Sequence, residues 1–296
     1  MQVWLNDRLL PAEEARISPF DRGFLFGDGV YEVVRYFDGV PVGERLHVDR
    51  LEASLQQLRI TGFDPRSLPR IASTLMEVND LVDCSMYLQV SRGMTETRSH
   101  VPEGALEPTV FATTTQMESL DQLVTPIEAT CSTAPDRRWM HGSIKSTSLL
   151  GNIIPLLDEV PGGNTEVILA RNGLLTEGAT SNIFIVDGDV LRTPAIDPRW
   201  PILDGVMRRL FLEIAGTLGI DVREEDIPVD SLLNADEAFI TSSRRLLSPV
   251  TDVDGHAIPG STEPGSMTGT LFQELKRSIQ ASIGERRADP IDGTLS

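Results

Sequence analysis

Turn signals between alternating apolar runs constrain this chain most. VWLNDRLL reads as a strand, a tight turn and a second strand. Asp38-Gly39 separates VYEVVRYF from VPVG, Asn172-Gly173 splits EVILARNGLLTEG, and Asp187-Gly188 splits SNIFIVDGDVLRT. SPVTDVDGHAI reads as a further turn-rich pair. Dipeptides of this kind tolerate the left-handed backbone of a two-residue hairpin, so they join antiparallel neighbours. MYLQVSRG, PTVFATTT, IEATCST and EAFITSS add further strands. Helical periodicity appears in HVDRLEASLQQLRI, where Val48, Leu51, Leu55 and Leu58 share a face. It also appears in SLPRIASTLMEVNDL, in SLLGNIIPLLDEV, and in DGVMRRLFLEIAGTLG with Asp204 as N-cap and Gly219 near its end. A last amphipathic helix is expected over 268–283. Hairpin-linked strands that outnumber helices indicate an α+β chain of two mixed α/β domains, not a doubly wound sheet. The pattern weakens across QMESLDQLVTP. The expected division is a small N-terminal domain over 1–118, a larger one over 119–283, and a polar, disordered tail over 284–296.

A net charge of −18 and a pI near 4.6 exclude a nucleic-acid or anionic-lipid binder, since no basic patch is evident. MQVWLNDRLLP lacks the basic start and apolar run of a signal peptide, and no apolar run approaches a membrane span. The two cysteines, Cys84 and Cys131, lack metal spacing and read as free thiols of a reducing cytosol. The four histidines (His47, His100, His141, His256) form no metal-ligand pattern either. A cytoplasmic protein without a metal is expected.

Lysine is scarce. Among 26 Lys plus Arg only Lys145 and Lys276 are lysine, so arginine serves wherever a generic cation suffices. Lys145 lies in HGSIKSTSLLGN, among small, polar and apolar residues. Unlike arginine, lysine can lose its proton and act as an amine nucleophile. The common biological carbonyl partner is pyridoxal 5'-phosphate (PLP), held as a Schiff base. That cofactor demands a carboxylate for its pyridine nitrogen and a cradle for its phosphate. Glu177 in LLTEGATSN is the candidate carboxylate, followed by small residues, Gly178 to Ser181, that let a flat ring approach the backbone; Thr180 and Ser181 are the cofactor contacts expected there. Arg50, the helix start at Gly205 and Val206, and the strand-end hydroxyls Thr241 and Ser242 are candidates for the phosphate. Taken singly, each has a plainer reading: Lys145 a surface charge, Glu177 a solvated turn residue, Asp-Gly an ordinary helix start. In SRGMTETRSHVPEG, Arg98 and His100 form an R-x-H pair suited to a carboxylate, or simply an exposed polar loop.

The constellation is more specific than its parts. GFLFGDGVYEVVR (23–35), HVDRLEASLQQL (47–58), IKSTSLLGN (144–152), EVILARNGLLTEGATSNIF (166–184), PILDGVMRR (201–209) and FITSSRRLLSPV (239–250) resemble, in order and spacing, the fold type IV PLP enzymes. That family includes D-amino acid transaminases, branched-chain aminotransferases and aminodeoxychorismate lyases, and the resemblance runs from about Val3 to about Ile279. It implies that Lys145 carries the cofactor, that Glu177 partners the ring nitrogen, and that Arg50, Val206 and Thr241 contact the phosphate. R-x-H at this place resembles the D-amino acid transaminases. There it joins the tyrosine matching Tyr31 on the substrate carboxylate, reaching over from the second subunit of a homodimer. The implied reaction moves an amino group from a D-amino acid (D-Ala, D-Glu or D-Asp type) to a 2-oxo acid such as 2-oxoglutarate or pyruvate. A branched-chain L-specific aminotransferase and a lyase of the same fold are the alternatives. Two departures bear on specificity. Gly142 and Ser143 stand where relatives often carry an acidic residue, and Arg244 and Arg245 follow the phosphate-binding TSS. An extra arginine there favours an acidic side chain, or faces solvent.

Overall fold

Positive φ angles mark the predicted hairpins in the computed structural model, which describes residues 1–263 and 265–288. Asn6 and Asp7 (φ 48° and 60°), Asp38 and Gly39 (49° and 72°), Asn172 and Gly173 (54° and 79°) and Asp254 and Gly255 (53° and 79°) all take it at both central positions. Type I′ turns require this, and they match the twist of the flanking strands. The fifth hairpin turns on Gly188 and Asp189, one residue later than expected, and only Gly188 is left-handed (φ 60°).

Six strands make the first sheet: β1 (Gln2–Leu5), β2 (Arg8–Pro11), β3 (Gly29–Phe37), β4 (Val40–Pro41), β5 (Cys84–Ser91) and β6 (Thr109–Gln116). They run in the order β2-β1-β6-β5-β3-β4, each pair antiparallel. With them go α1 (Arg22–Phe26), α2 (Glu44–Leu58) and α3 (Leu68–Val78). Leu51 and Leu55 of α2, with Leu68, Ile71 and Leu75 of α3, bury against Val30, Val34, Met86 and Leu88. Val48 and Leu58 close the same face, as their helical spacing predicts. Strand alternation puts Tyr31, Val33, Arg35 and Phe37 of β3 on the other side.

Residues 117–128 carry neither strand nor helix. A nine-stranded sheet follows, from β7 (Ala129–Pro135), β8 (Glu166–Arg171), β9 (Leu174–Gly178), β10 (Asn182–Asp187), β11 (Val190–Pro194), β12 (Asp221–Glu225), β13 (Glu237–Ser242), β14 (Leu246–Val253) and β15 (His256–Ala257). Its order is β12-β11-β10-β13-β14-β7-β8-β9, with β15 beside β14. It is mixed, because β7 pairs in parallel with both β8 and β14, and β11 with β12. The helices here are α4 (Leu150–Glu159), α5 (Val206–Thr217), α6 (Val229–Leu233) and α7 (Met267–Ala288). Phe211 of α5 and Leu271, Phe272 and Leu275 of α7 pack on the stacked rings of Phe184 and Phe239, 4.8 Å apart. Phe37 and Val42 from the first sheet enter that cluster, so one apolar core joins the two sheets.

Three local expectations change. Gly205, not Asp204, is the N-cap of α5, with no side-chain cap bond. The Asp204 carboxylate turns to Arg209, and its carbonyl accepts from Arg50. The last helix begins at Met267 and continues through Ala288, because Arg286 reaches across to donate to the Gly39 carbonyl. The expected tail therefore loses residues 284–288 to that helix, and residues 289–296 lie outside the described ones.

Candidate active site

Lys145 is set by its backbone, which runs briefly alongside β3. Tyr31 N–H donates to the Lys145 carbonyl (3.0 Å), Thr147 N–H donates to the Gly29 carbonyl (2.9 Å), and Val30 and Ser146 form a bridge. Ile144 anchors the same segment in the first core. The Lys145 side chain then projects over Tyr31, with Nζ 4.3 Å from the ring centroid. It enters a cavity of about 170 Å³ lined by Tyr31, Arg50, Lys145, Glu177, Thr180 and Ser181. Gly205, Val206, Thr241 and Ser242 line the same cavity. Strands from both sheets and the start of α5 thus converge on one space.

Glu177, at the end of β9, is buried. Its Oε1 accepts from Arg138 Nη1 at 2.6 Å, and its Oε2 accepts from Leu203 N–H at 3.1 Å and Asn182 Nδ2 at 3.3 Å. Burial raises its carboxyl above the ordinary value, and the Arg138 charge works against that rise. Arg138 is itself gripped by Asp136, through Nε at 3.0 Å and Nη2 at 2.9 Å. Asp136 is held down to about 2, since these bonds outweigh its own burial. Arg138 and Asp136 are absent from the sequence reading. The only signal for them is an Asp-x-Arg spacing just beyond a strand end.

Arg50, on α2, is the second buried pairing. Nε and Nη2 form a fork on Glu32, each at 2.8 Å, and Nη1 donates to the Asp204 carbonyl at 3.1 Å. N–H bonds remain on Nη1 and Nη2 for another acceptor. Glu32 is fully buried and also bonds His47 Nδ1 at 2.7 Å. Burial would raise Glu32, but the charges of Arg50 and His47 win and hold it well below the usual carboxylate range. His47 is pulled down by burial in spite of Glu32.

Thr241 and the start of α5, which line the same cavity, present donors that suit an anion. Register pairs Asn182 of β10 with Thr241 of β13. Thr241 Oγ1 is buried there without a hydrogen-bond partner, although buried hydroxyls are normally satisfied. Beside it, α5 begins at Gly205 with no side-chain cap, leaving free N–H groups and the positive end of the helix dipole. A Cβ on Gly205 would lie 1.9 Å from Asn182 Oδ1, so only glycine permits this approach. Thr180 and Ser181 differ from expectation in detail. They line the cavity, but both hydroxyls donate to Glu166 Oε2, at 2.6 and 2.9 Å.

Arg98 and His100 are not brought into this cavity. Both are exposed, in the loop between β5 and β6. The Arg98 guanidinium stacks over Phe26 at 4.9 Å, and the His100 ring lies 5.5 Å from that ring. Arg22 ties the loop down by donating to the Ser99 and His100 carbonyls (2.6 and 2.9 Å). Gly142 lines the cavity, where a Cβ would strike the Pro201 carbonyl oxygen at 2.1 Å; an acidic side chain has no room there. Arg244 and Arg245 are exposed. Cys84 and Cys131 are buried and free; burial pushes Cys84 up to about 11 and Cys131 higher, so neither offers a thiolate. Among the described residues no cluster could hold a metal ion, and no helix is long and apolar enough to cross a membrane.

A family model for amino-transferase class IV matches residues 29–253. The chain belongs to the class IV aminotransferases. Curated relatives include a D-alanine aminotransferase of Bacillus licheniformis, 35% identical over 94% of this chain and 97% of that protein. One of Listeria monocytogenes is 33% identical over 96% and 98%. Among solved structures, a branched-chain aminotransferase of Thermoproteus uzoniensis superposes with a TM-score of 0.83, covering 98% of this chain and 97% of that one at 24% identity. That last likeness shows the shared fold. Like its class, this aminotransferase depends on PLP and exchanges amino groups between amino acids and 2-oxo acids. The residues fit that cofactor. Lys145 would supply the amine, Glu177 a buried carboxylate, and Thr241 with the uncapped start of α5 a donor set suited to the phosphate.

Proposed function

We propose that this aminotransferase takes the amino group of a D-amino acid and passes it to a 2-oxo acid. Lys145 is the catalytic residue, and Arg98 and His100 are contributed by the second subunit of a homodimer. The observation that carries the reading is the meeting of Lys145, Glu177 and the unpartnered Thr241 hydroxyl in one cavity, with Arg98 and His100 displayed outside it. The D preference draws support from the D-alanine aminotransferase relatives and from the Arg98-x-His100 pair, a fork of donors beside an imidazole that suits an α-carboxylate. The dimer draws support from α4. No residue of this apolar helix is buried, and Leu150 and Leu157 are 71% and 68% exposed. So wide an apolar face needs a cover, and a second copy would bring its own clamp to a cavity that lacks one. The cytosol is the compartment in which two unpaired thiols persist. We set the division into domains at 118/119, a reading supported by the stretch of 117–128 that carries neither strand nor helix between the two sheets.

Bound PLP supplies an electron-withdrawing ring that acidifies the α-carbon of the amino acid. Lys145 Nζ would take the α-proton and deliver it to the cofactor's carbonyl carbon rather than back to the α-carbon. Glu177 would partner the ring nitrogen, with Arg138 opposing the tendency of burial to neutralise its carboxyl. Arg50, Val206, Gly205, Thr241 and Ser242 would hold the phosphate, while Thr180 and Ser181 line the wall. Tyr31, Arg98 and His100 orient the substrate carboxylate. Handedness follows from which side of the α-carbon that clamp turns towards Lys145. The branched-chain reading has the fold likeness in its favour. Purified protein given D-alanine, D-glutamate or L-leucine, each with 2-oxoglutarate, separates the two. Product from the D-substrates is expected. Product from L-leucine alone would overturn the D reading, and pyruvate formed from aminodeoxychorismate without an acceptor would indicate the lyase.

A further inference from the structure

The loop that carries Arg98 and His100 spans residues 92–108 and contains neither strand nor helix. A stretch of that length without structure of its own ordinarily samples many conformations. Here one short segment, residues 21–28, holds it at both its neck and its tip.

At the neck, Asp21 is buried, and its Oδ2 accepts from Ser91 Oγ (3.0 Å) and Thr109 Oγ1 (2.6 Å). Those two residues end β5 and begin β6. Arg22 N–H donates to the Gly93 carbonyl at 2.9 Å. Gly93 itself has φ 100°, and a Cβ there would fall 1.8 Å from the Glu107 carbonyl oxygen. At the tip, the buried Arg22 guanidinium donates through Nη1 to the Ser99 carbonyl and through Nη2 to the His100 carbonyl. Its third arm, Nε, donates to Asp28 Oδ2 at 2.8 Å. Asp28 is fixed in turn by Arg92, whose Nε and Nη2 each reach it at 2.8 Å. The same Arg92 donates to the Leu58 and Arg59 carbonyls at the end of α2. Burial would raise the Asp28 carboxyl, but the bonds from Arg92 and Arg22 prevail and hold it below its ordinary value.

The grip of Arg22 falls on main-chain oxygens, so the side chains of Arg98 and His100 stay exposed and available. The Arg22 and Arg98 guanidinium carbons both lie 4.9 Å from the centroid of the Phe26 ring, which gives the Arg98 stem a fixed support as well. The segment then runs straight into β3, whose first residue, Gly29, accepts from Thr147 N–H beside Lys145. The frame that holds the displayed pair is therefore continuous with the strand that sets the subunit's own lysine.

We propose that Arg22 is a positioning residue for the substrate carboxylate: held by Asp28, it fixes the backbone at 99–100 so that Arg98 and His100 meet the second subunit's cavity already in their binding arrangement. The inference rests on the reading of Arg98 and His100 as that clamp. An untied loop occupies the competent arrangement only part of the time, and apparent affinity falls by that fraction. The steps after binding are untouched, so the loss appears in KM and not in kcat.

The test uses the PLP-loaded enzyme with D-alanine and 2-oxoglutarate, and compares Arg22→Met in the parent with Arg22→Met in an R98M/H100Q background. In the parent, loss of two bonds from a charged donor is expected to raise KM for D-alanine about tenfold and to change kcat less than about threefold. Asp28 keeps both bonds from Arg92 in that variant, so the absorbance of bound cofactor should be retained. R98M/H100Q alone is expected to lower kcat/KM about 100-fold, the effect of removing the clamp itself. Adding Arg22→Met to it should change kcat/KM less than about twofold, because Arg22 acts only through the clamp. Arg22→Lys keeps the charge but loses the fork. It is expected to raise KM about threefold in the parent and to have no effect in R98M/H100Q, and it gives the reading if the methionine variant does not fold. A parent-like KM in both Arg22 variants, or a loss of equal size with and without the clamp, would overturn the proposal. If R98M/H100Q keeps the parent kcat/KM, the clamp reading falls and takes this inference with it. If R98M/H100Q is impaired and the Arg22 variants are not, only this inference falls. If only L-amino acids react, the D reading falls, and L-leucine serves for the same comparison.

Discussion

Replacing Arg138 by Gln removes the centre of a buried, charged cluster. Arg138 holds Glu177 at 2.6 Å and Asp136 at 2.9 Å, and the three side chains are 8%, 6% and 2% exposed. Removing one partner of such a cluster leaves an uncompensated buried charge and costs about 3–5 kcal/mol. Arg171 stays 3.2 Å from Asp136 and keeps part of the pairing, so the low end applies, about 3 kcal/mol. For a chain of this size that lowers Tm by roughly 6–12 °C. The orphaned carboxylate is then Glu177. In the double variant R138Q/E177Q that charge is gone, and about 1–2 kcal/mol should return. Urea unfolding of the cofactor-free single and double variants, followed by circular dichroism, measures both quantities. A loss below about 1 kcal/mol in R138Q, or a double variant less stable than the single one, would refute the claim that Arg138 compensates a buried Glu177.

Three further outcomes follow from the geometry. Gly205→Ala forces a Cβ to within 1.9 Å of Asn182 Oδ1, so equilibrium dialysis should show PLP affinity reduced at least tenfold, while a substitution at exposed Gly284 leaves it unaltered. The Glu32–His47–Arg50 group gives stability a pH dependence of definite sign. Both Glu32 and His47 titrate lower in the fold than their ordinary 4.5 and 6.5, so their contribution is complete above pH about 6.5 and is lost as pH falls through the lowered values. The stability gap between the parent chain and Glu32→Gln, from denaturant midpoints, should therefore be widest near neutrality and narrow steadily below pH 4.5. Ile154→Asp with Leu157→Asp places charge on the exposed face of α4, and sedimentation should show a monomer that has lost activity; an active monomer would reject the shared clamp.

Much of this fold is legible locally, and the exceptions have local reasons. Asn-Gly and Asp-Gly turns declare themselves because few other pairs accept two left-handed residues; three of them do so here, and Asn6-Asp7 makes a fourth such turn. The apolar spacing of 48–58 marks α2 because that face meets a single core. The α5 cap is not legible because Asp204 has a competing partner, Arg209, which sequence separation alone does not rank. The full extent of α7 is not legible because GERRA looks solvated, while one contact from Arg286 to Gly39, far back in the chain, holds the end in place. Lys145 stood out through the scarcity of lysine. Arg35, by contrast, is one arginine in a chain that uses arginine everywhere, and only its burial with two nitrogens lacking an acceptor sets it apart. Arg138 was hidden for the opposite reason, since its partners Asp136 and Glu177 lie on different strands or their extensions.

The central claim is that Lys145 carries the cofactor. Borohydride treatment of the PLP-loaded enzyme fixes the lysine linkage as a stable amine, and peptide mass spectrometry then locates it. The added mass should fall on the peptide containing Lys145. A label on Lys276, whose ammonium donates to the Leu123 carbonyl, or on no lysine at all, would contradict the account.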